Sequence, residues 1–176
     1  MKKPNIIIVD DHLVFRQALK VLITKENIAT VIGEASNGVE FLELLTHQKP
    51  DIVLMDIDMP EMNGLEATQK ALEQKPEIKI IAFSMFRDQE NYFKMISRGA
   101  FGFILKTCSL CELEKAIQSV FKGEKYFSND LMKEIINNFG RKNIEKHTEI
   151  ECMTVRKRIV IPLNLSWIDS RRNAKI

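Results

Sequence analysis

The sequence has few cysteines, no long apolar run and no phosphate-binding loop. Three cysteines in 176 residues are too few for a disulfide framework. No apolar run approaches the roughly 20 residues that cross a bilayer, so we predict no membrane span. The absence of GxxxxGK[ST] excludes an ordinary P-loop nucleotidase. The first residues, MKKPN, lead directly into a strand-like run, and we therefore expect a cytoplasmic protein.

Two of the cysteines, Cys108 and Cys111, have the CxxC spacing of some redox and metal sites. They flank the start of a predicted helix, and the sequence offers no second CxxC and no nearby histidine. We interpret them as buried or incidental thiols, with a redox or metal role as the alternative.

Charge is distributed unevenly along the chain. Residues 1–140 contain 17 Lys/Arg and 20 Asp/Glu, a net charge of −3, whereas residues 141–176 contain 9 and 4, a net charge of +5. The body is therefore mildly acidic and the tail basic, and a basic tail is compatible with weak nucleic-acid binding or with a solvated segment.

Short runs rich in β-branched residues alternate with longer stretches of helical spacing over the first 125 residues. Continuous apolar runs bounded by polar residues are typical of buried strands, and the longer stretches of helices. The predicted strands are Asn5–Val9, Thr30–Ala35, Asp51–Met55, Ile78–Phe83 and Phe101–Leu105. The predicted helices are Leu13–Thr24, Val39–Leu45, Leu65–Gln74, Gln89–Ser97 and Leu110–Phe121.

Five strands alternating with five helices predict an α/β protein with a doubly wound parallel sheet. Right-handed crossovers place helices on both faces of such a sheet. For the first helix we expect the apolar face to comprise Leu13, Phe15, Ala18, Leu19 and Leu22. Ligands of open α/β sheets bind beyond the carboxyl ends of the strands, so the chemistry is expected at that edge.

Polar residues stand at those strand ends. Asp10 and Asp11 follow the first strand, Asp56 the third, Ser84 the fourth and Lys106 the fifth. Carboxylates that converge on one cleft repel one another, and a hard cation such as Mg²⁺ removes that conflict. A nucleophilic carboxylate, a metal and a lysine are what phosphoryl transfer needs.

Four blocks of the sequence resemble the successive signatures of response-regulator receivers. They are IIIVDDHLVFRQAL, DIVLMDIDMPEMNGLEA, IIAFSM and RGAFGFILK, in that order along the chain. The resemblance covers roughly residues 4 to 125 and is closest to the LuxR/FixJ (NarL-type) subfamily. It implies the flavodoxin-like strand order 2-1-3-4-5.

The resemblance also implies roles for individual residues. Asp56 would be the phosphoacceptor, and the Mg²⁺ ligands would be Asp11, Asp56 and the main-chain carbonyl of Asp58. Asp10 would lie beside the ion without binding it directly. Ser84 and Lys106 would contact the phosphoryl group, and Phe103 matches the switch aromatic.

Several of these residues have a simpler interpretation. An acidic pair before a helix can serve only as an N-cap, Ser84 can be a loop hydroxyl, and Phe103 can be ordinary core packing. We expect His12 to be exposed on the first helical turn and not to bind metal. Thr107 stands where many receivers have a proline after the lysine, which leaves the Lys106–Thr107 geometry undetermined by sequence.

Three regions follow from these patterns: a receiver domain over 1–125, a linker helix in 126–140 and a basic tail over 141–176. Ser128 can cap a helix over Asn129–Phe139. In the LuxR/FixJ subfamily a DNA-binding helix-turn-helix effector follows the linker. Residues 141–176 match that module poorly, with only Thr148–Cys152 similar to its first helix, and are interpreted as a truncated or degenerate effector.

The predicted function is therefore a response regulator of a two-component phosphorelay and not an enzyme. A sensor histidine kinase would be its partner, homodimerisation is possible, DNA binding would require a functional effector, and no membrane contact is expected. One alternative is a Mg²⁺-dependent phosphohydrolase with an aspartyl nucleophile, because Asp58 lies two residues beyond Asp56. The other is an unphosphorylated protein-binding module.

Overall fold

The computed structural model describes residues 3–85 and 89–127. The strands are β1 Asn5–Val9, β2 Thr30–Ala35, β3 Ile52–Met55, β4 Lys79–Ser84, β5 Gly102–Leu105 and β6 Tyr126–Phe127. The helices are α1 Leu13–Lys25, α2 Gly38–His47, α3 Gly64–Gln74, α4 Gln89–Ser97 and α5 Leu110–Phe121. The predicted helix Asn129–Phe139 and the basic tail 141–176 lie outside the described residues.

All six strands form one parallel sheet in the order β2-β1-β3-β4-β5-β6. The order predicted for the first five strands is confirmed, but the prediction of only five strands is wrong. β6 pairs with β5, with Gly102 opposite Tyr126 and Phe103 opposite Phe127. A Cβ atom at position 102 would lie 2.8 Å from the main-chain oxygen of Tyr126, so glycine permits this close pairing.

The sheet is covered on both faces, as its continuously apolar strands require. Alternate residues of β1 point to opposite sides, with Ile7 and Val9 in one core cluster and Ile6 and Ile8 in the other. The first cluster contains side chains of α2, α3 and α4, among them Phe41, Ala67, Ala71 and Met95. The second contains side chains of α1 and α5, among them Leu19, Ile23, Leu113 and Ile117.

The buried face of α1 differs from the predicted one. Leu19 and Ile23 are buried, and Phe15 packs partly against the same cluster. Leu13 is 54% exposed, and Ala18 and Leu22 also face solvent. The sequence pattern was ambiguous because α1 has apolar residues on two sides. The residues that face the sheet, Phe15, Leu19 and Ile23, are spaced four positions apart.

Side chains fix the starts of three helices. Asn37 accepts hydrogen bonds from the main-chain nitrogens of Val39 and Glu40, Asn63 caps α3, and Ser109 caps α5. Glu40 in turn accepts a hydrogen bond from the main-chain nitrogen of Ser36, and this bond lowers the pKa of the Glu40 carboxyl. Asn37 thus satisfies two of the free main-chain donors at the start of α2, and Glu40 holds the residue that precedes the N-cap.

None of the helices in the described part of the chain is long and apolar enough to cross a membrane.

Replacing Asn37 by Ala should destabilise the protein, because the buried Asn37 side chain accepts two main-chain hydrogen bonds. The expected loss in the free energy of unfolding is about 0.5–2 kcal/mol, measured by urea denaturation. Gln17→Ala, at an exposed position inside α1, is the matched control and should change stability by less than about 0.5 kcal/mol. Equal effects of the two substitutions would contradict the capping role.

Candidate functional site

Strand register brings the predicted polar residues together at one edge of the sheet. Val9 at the end of β1 is paired with Met55 at the end of β3, and Ser84 at the end of β4 is paired with Leu105 at the end of β5. The next residues along the chain, Asp10, Asp56 and Lys106, therefore leave the sheet beside one another. The main-chain nitrogen of Lys106 also donates to the carbonyl of Ser84 at 2.8 Å.

A buried lysine joins two buried carboxylates at the centre of this site. Nζ of Lys106 lies 2.7 Å from Oδ2 of Asp56 and 2.6 Å from Oδ2 of Asp10. The side chains of Lys106, Asp56 and Asp10 are 3%, 6% and 2% exposed. Charges so far removed from water require partners of opposite charge. The ammonium of Lys106 forms an ion pair with both carboxylates. The same nitrogen lies 4.9 Å from the ring centroid of Phe15.

The other carboxylate oxygens are held by the main chain. Oδ1 of Asp56 accepts a hydrogen bond from the main-chain nitrogen of Ile57 at 2.7 Å, and Oδ1 of Asp10 accepts one from His12 at 2.9 Å. Burial nevertheless raises the pKa of the Asp56 carboxyl above its ordinary value. The hydrogen bond and charge of Lys106 oppose that shift, and the charge of Asp10 adds to it. The surroundings therefore make a second positive charge favourable beside Asp56.

Four side chains present metal-ligating atoms to the same point. One ligand atom from each of Asp10, Asp11, His12 and Asp56 lies within 4.8 Å of the others. Oδ1 of Asp11 is buried and accepts no hydrogen bond, although Nδ1 of His12 lies 2.7 Å away. Carboxylate oxygens of Asp10, Asp11 and Asp56 that face one another are the ligands that a hard divalent cation prefers, so the residues present fit Mg²⁺.

The remaining predicted residues surround this cluster or lie beside it. Ser84 is buried. Phe103 is fully buried on β5, and its ring meets that of Tyr92 edge-on at 5.2 Å between centroids. The side chain of Asp58 is exposed, and its carboxylate is not part of the cluster of ligand atoms. That position does not favour Asp58 as the second acid of a phosphohydrolase.

Sequence reasoning missed Gly64, which positions the main chain of Asp56. A Cβ atom at Gly64 would lie 1.9 Å from the main-chain oxygen of Asp56. The nitrogen of Gly64 donates to the carbonyl of Ile57 at 2.8 Å, so α3 starts in direct contact with the loop that follows β3 at Asp56. The only sequence signal was the Asn-Gly pair at 63–64, which is typical of any turn.

The structure also shows the Lys106–Thr107 peptide bond and the surroundings of two cysteines. The Lys106–Thr107 peptide is trans, like every peptide bond in the described ranges. Cys108 and Cys111 are free thiols, and burial raises the pKa of the Cys108 thiol to about 11. Within residues 3–85 and 89–127, neither cysteine joins a group of metal-ligating side chains.

Residues 6–118 match the response regulator receiver domain. The chain belongs to this family. The match includes every strand end that contributes to the acidic pocket, from Asp10 to Lys106. The receiver fold and the resemblance stated from the sequence are therefore confirmed.

Similar proteins place this receiver among LuxR-type regulators. It is 34% identical over 164 residues to the oxygen regulatory protein NreC of Staphylococcus aureus (strain bovine RF122 / ET3-1), covering 90% of this chain and 76% of NreC. A LuxR-family two-component response regulator from Aurantimonas sp. SI85-9A1 has a similar crystal structure, with a TM-score of 0.73 and 29% identity over 82% of this chain and all of that one. A DNA-binding LuxR-family response regulator from Staphylococcus aureus has a TM-score of 0.64 and 28% identity, over 67% and 98% of the two chains.

Membership defines the general activity of this receiver. LuxR-family response regulators are two-component signalling proteins that typically regulate transcription by binding DNA. Members pair with histidine kinases, form dimers and are not enzymes in the usual sense. Receiver domains bind Mg²⁺ at an acidic pocket, which here is the cluster of Asp10, Asp11 and Asp56.

Gly64→Ala should disturb the pocket through the main chain of Asp56, because the added methyl group overlaps its carbonyl oxygen. We expect a loss in the free energy of unfolding of about 1–3 kcal/mol and impaired metal-dependent modification of Asp56. Urea denaturation and intact mass after phosphodonor treatment measure the two effects.

Gly123→Ala is the matched control. Gly123 has a positive φ of 93° and open space around its Cβ position, so alanine there costs stability without touching the pocket. Normal modification of the Gly64 variant under native conditions would contradict the positioning role.

Proposed function

We propose that this receiver accepts a phosphoryl group on Asp56 from a phosphohistidine of a partner kinase. The observation that supports this most strongly is the buried Asp56 carboxylate, which is held by Lys106 and lies beside the carboxylates of Asp10 and Asp11. An oxygen of Asp56 attacks phosphorus, the P–O bond forms, and the P–N bond to the kinase imidazole breaks. The leaving imidazole takes a proton, and the product is an acyl phosphate.

Asp11 and Asp56 would bind Mg²⁺ directly, with the main-chain carbonyl of Asp58 as the third protein ligand. Asp10 would support the site without binding the ion directly; its oxygens are held by Lys106 and by the main-chain nitrogen of His12. When bound, the ion supplies positive charge to the transferring phosphoryl oxygens. The exposed side chain of Asp58 is compatible with a role for its main chain alone.

Lys106 and Ser84 would hold the phosphoryl group after transfer. The ammonium of Lys106 lies 2.7 Å from Oδ2 of Asp56, so it needs to move little to contact an oxygen of phosphate bound there. The buried hydroxyl of Ser84 stands at the end of β4, next to Lys106 in the sheet register. New bonds from these two donors would favour one arrangement of the β4 end and of α4.

Phe103 would couple the rearrangement of the β4 end to the packing of α4 and β6. Its ring contacts Tyr92 of α4, and Tyr92 contacts Phe127 of β6 at 5.9 Å between centroids. An inward or outward turn of Phe103 therefore has to repack α4 and the last described strand. These ring contacts connect Phe103 of β5 through α4 to Phe127 in β6, the last described strand.

We propose that output runs through dimerisation, and through DNA contact only if residues 141–176 form a working effector. The receiver acts on no external substrate and removes its own phosphate slowly, with water as the acceptor. We also propose a cytoplasmic location.

Incubation with Mg²⁺ and acetyl phosphate should add one phosphoryl group per chain, measured by intact mass. Asp56→Asn should abolish the adduct, because the amide is not a nucleophile. Asp51→Asn is the matched control at the opposite end of β3, where Asp51 accepts a hydrogen bond from the main-chain nitrogen of Asn5. This control should be modified like the natural protein.

Removal of Mg²⁺ by EDTA should also prevent the adduct. Modification of Asp56→Asn to the same extent as the natural protein would refute Asp56 as the phosphoacceptor. Continuous hydrolysis of an external phosphate ester would instead support the phosphohydrolase alternative.

A further inference from the structure

The ammonium of Lys106 has a third neighbour besides its two carboxylates. Nζ of Lys106 lies over the ring of Phe15, 4.9 Å from the ring centroid. The face of an aromatic ring carries partial negative charge and attracts a cation that lies within about 6 Å of its centre. Because the side chain of Lys106 is only 3% exposed, little water competes with the ring for the ammonium, and the attraction is stronger between groups removed from water.

The ring of Phe15 is held in place by contacts that do not involve Lys106. It packs partly against the core cluster that contains side chains of α1 and α5, and its centroid lies 5.7 Å from that of the buried Phe83 ring on β4. The next residue of α1, Arg16, donates a side-chain hydrogen bond to the main-chain oxygen of Asp10. This bond ties the first turn of α1 to the end of β1, so the ring is a fixed surface beside a flexible lysine.

The lysine needs such a surface because its other contacts change when Asp56 is modified. Nζ of Lys106 lies 2.6 Å from Oδ2 of Asp10 and 2.7 Å from Oδ2 of Asp56, and a phosphoryl group on Asp56 would take one of these contacts. A lysine side chain is a flexible stem that carries a point charge. The ring attracts this charge without replacing an oxygen as hydrogen-bond acceptor, so the N–H donors stay available for carboxylate and phosphoryl oxygens.

We propose that Phe15 is a positioning residue for phosphoryl transfer to Asp56. Its ring holds the ammonium of Lys106 beside Asp56 before, during and after the transfer. The proposal rests on the proposed function and adds a residue of α1 to a site otherwise built from strand ends. It requires an aromatic ring at position 15, because an aliphatic side chain of similar size would fill the space without attracting the cation.

Fluorination of the Phe15 ring tests this requirement, because ring fluorines withdraw electron density from the ring face and change its size little. Phenylalanines with an increasing number of ring fluorines are placed at position 15 of the full chain. Intact mass then measures the rate at which acetyl phosphate and Mg²⁺ modify Asp56. We expect the rate to fall with each added fluorine, and by at least about 2-fold for the most fluorinated ring, which corresponds to a weak cation–π contact.

The same series of fluorinated rings at Phe101 is the matched control. Phe101 is also half-buried, and Nζ of Lys79 lies 5.9 Å from its ring centroid. It precedes β5, however, whereas Lys106 follows that strand, so its ring lies at the opposite edge of the sheet from the acidic pocket. Fluorination of Phe101 should leave the rate of Asp56 modification unchanged.

NMR of lysine-labelled protein gives a readout of the contact itself. The Lys106 protons next to Nζ should resonate upfield of those of other lysines because they lie over the ring face, and Phe15→Leu should remove this shift. Urea denaturation establishes that Phe15→Leu is folded under the conditions used. An unshifted Lys106 in the natural protein, or a rate of Asp56 modification that does not depend on the fluorines at position 15, would overturn the proposal.

These measurements separate the role of Phe15 from the function on which it rests. If Asp56 gains a phosphoryl group at the same rate with every ring at position 15, the proposed function stands and only the role of Phe15 fails. If the natural protein gains no phosphoryl group on Asp56, the proposed function fails, and the role of Phe15 in the transfer fails with it, whatever the NMR shift of Lys106.

Discussion

The buried ammonium of Lys106 between Asp10 and Asp56 is the interaction on which the rest of the site depends. Two carboxylates at the ends of neighbouring strands, almost completely removed from water, would repel each other without it. One lysine shared by two acids leaves the pocket with an excess of negative charge. Burial outweighs the lysine at Asp56, whose pKa is raised, so the pocket favours any further cation that enters.

Main-chain contacts make this arrangement rigid. Gly64 allows the start of α3 to touch the carbonyl of Asp56, and Gly102 allows β6 to close against β5. A buried carboxylate held by Lys106 and by the main-chain nitrogen of Ile57 has a fixed direction, which the phosphoryl transfer proposed for Asp56 needs.

The sequence predicted the strands well because their apolar runs are continuous, and it predicted the acidic pocket because parallel strands end at one edge. Sequence patterns predicted the structure less well where a buried and an exposed residue, or a short strand and a loop, have the same pattern. The exposed Leu13 and the buried Ile23 cannot be told apart by composition, and a two-residue strand such as Tyr126–Phe127 has too short a pattern to detect. Gly64 and the direction of the His12 ring depend on distances between segments, which a sequence does not contain.

Chemical trapping of the modified side chain tests the central claim most directly. The receiver is treated with Mg²⁺ and acetyl phosphate, then with neutral hydroxylamine, which converts an acyl phosphate into a stable hydroxamate. Peptide mapping by mass spectrometry then locates the label. We expect a hydroxamate on Asp56 and on no other residue of the pocket. A label on Asp10 or Asp11, or phosphate that hydroxylamine does not release, would contradict it.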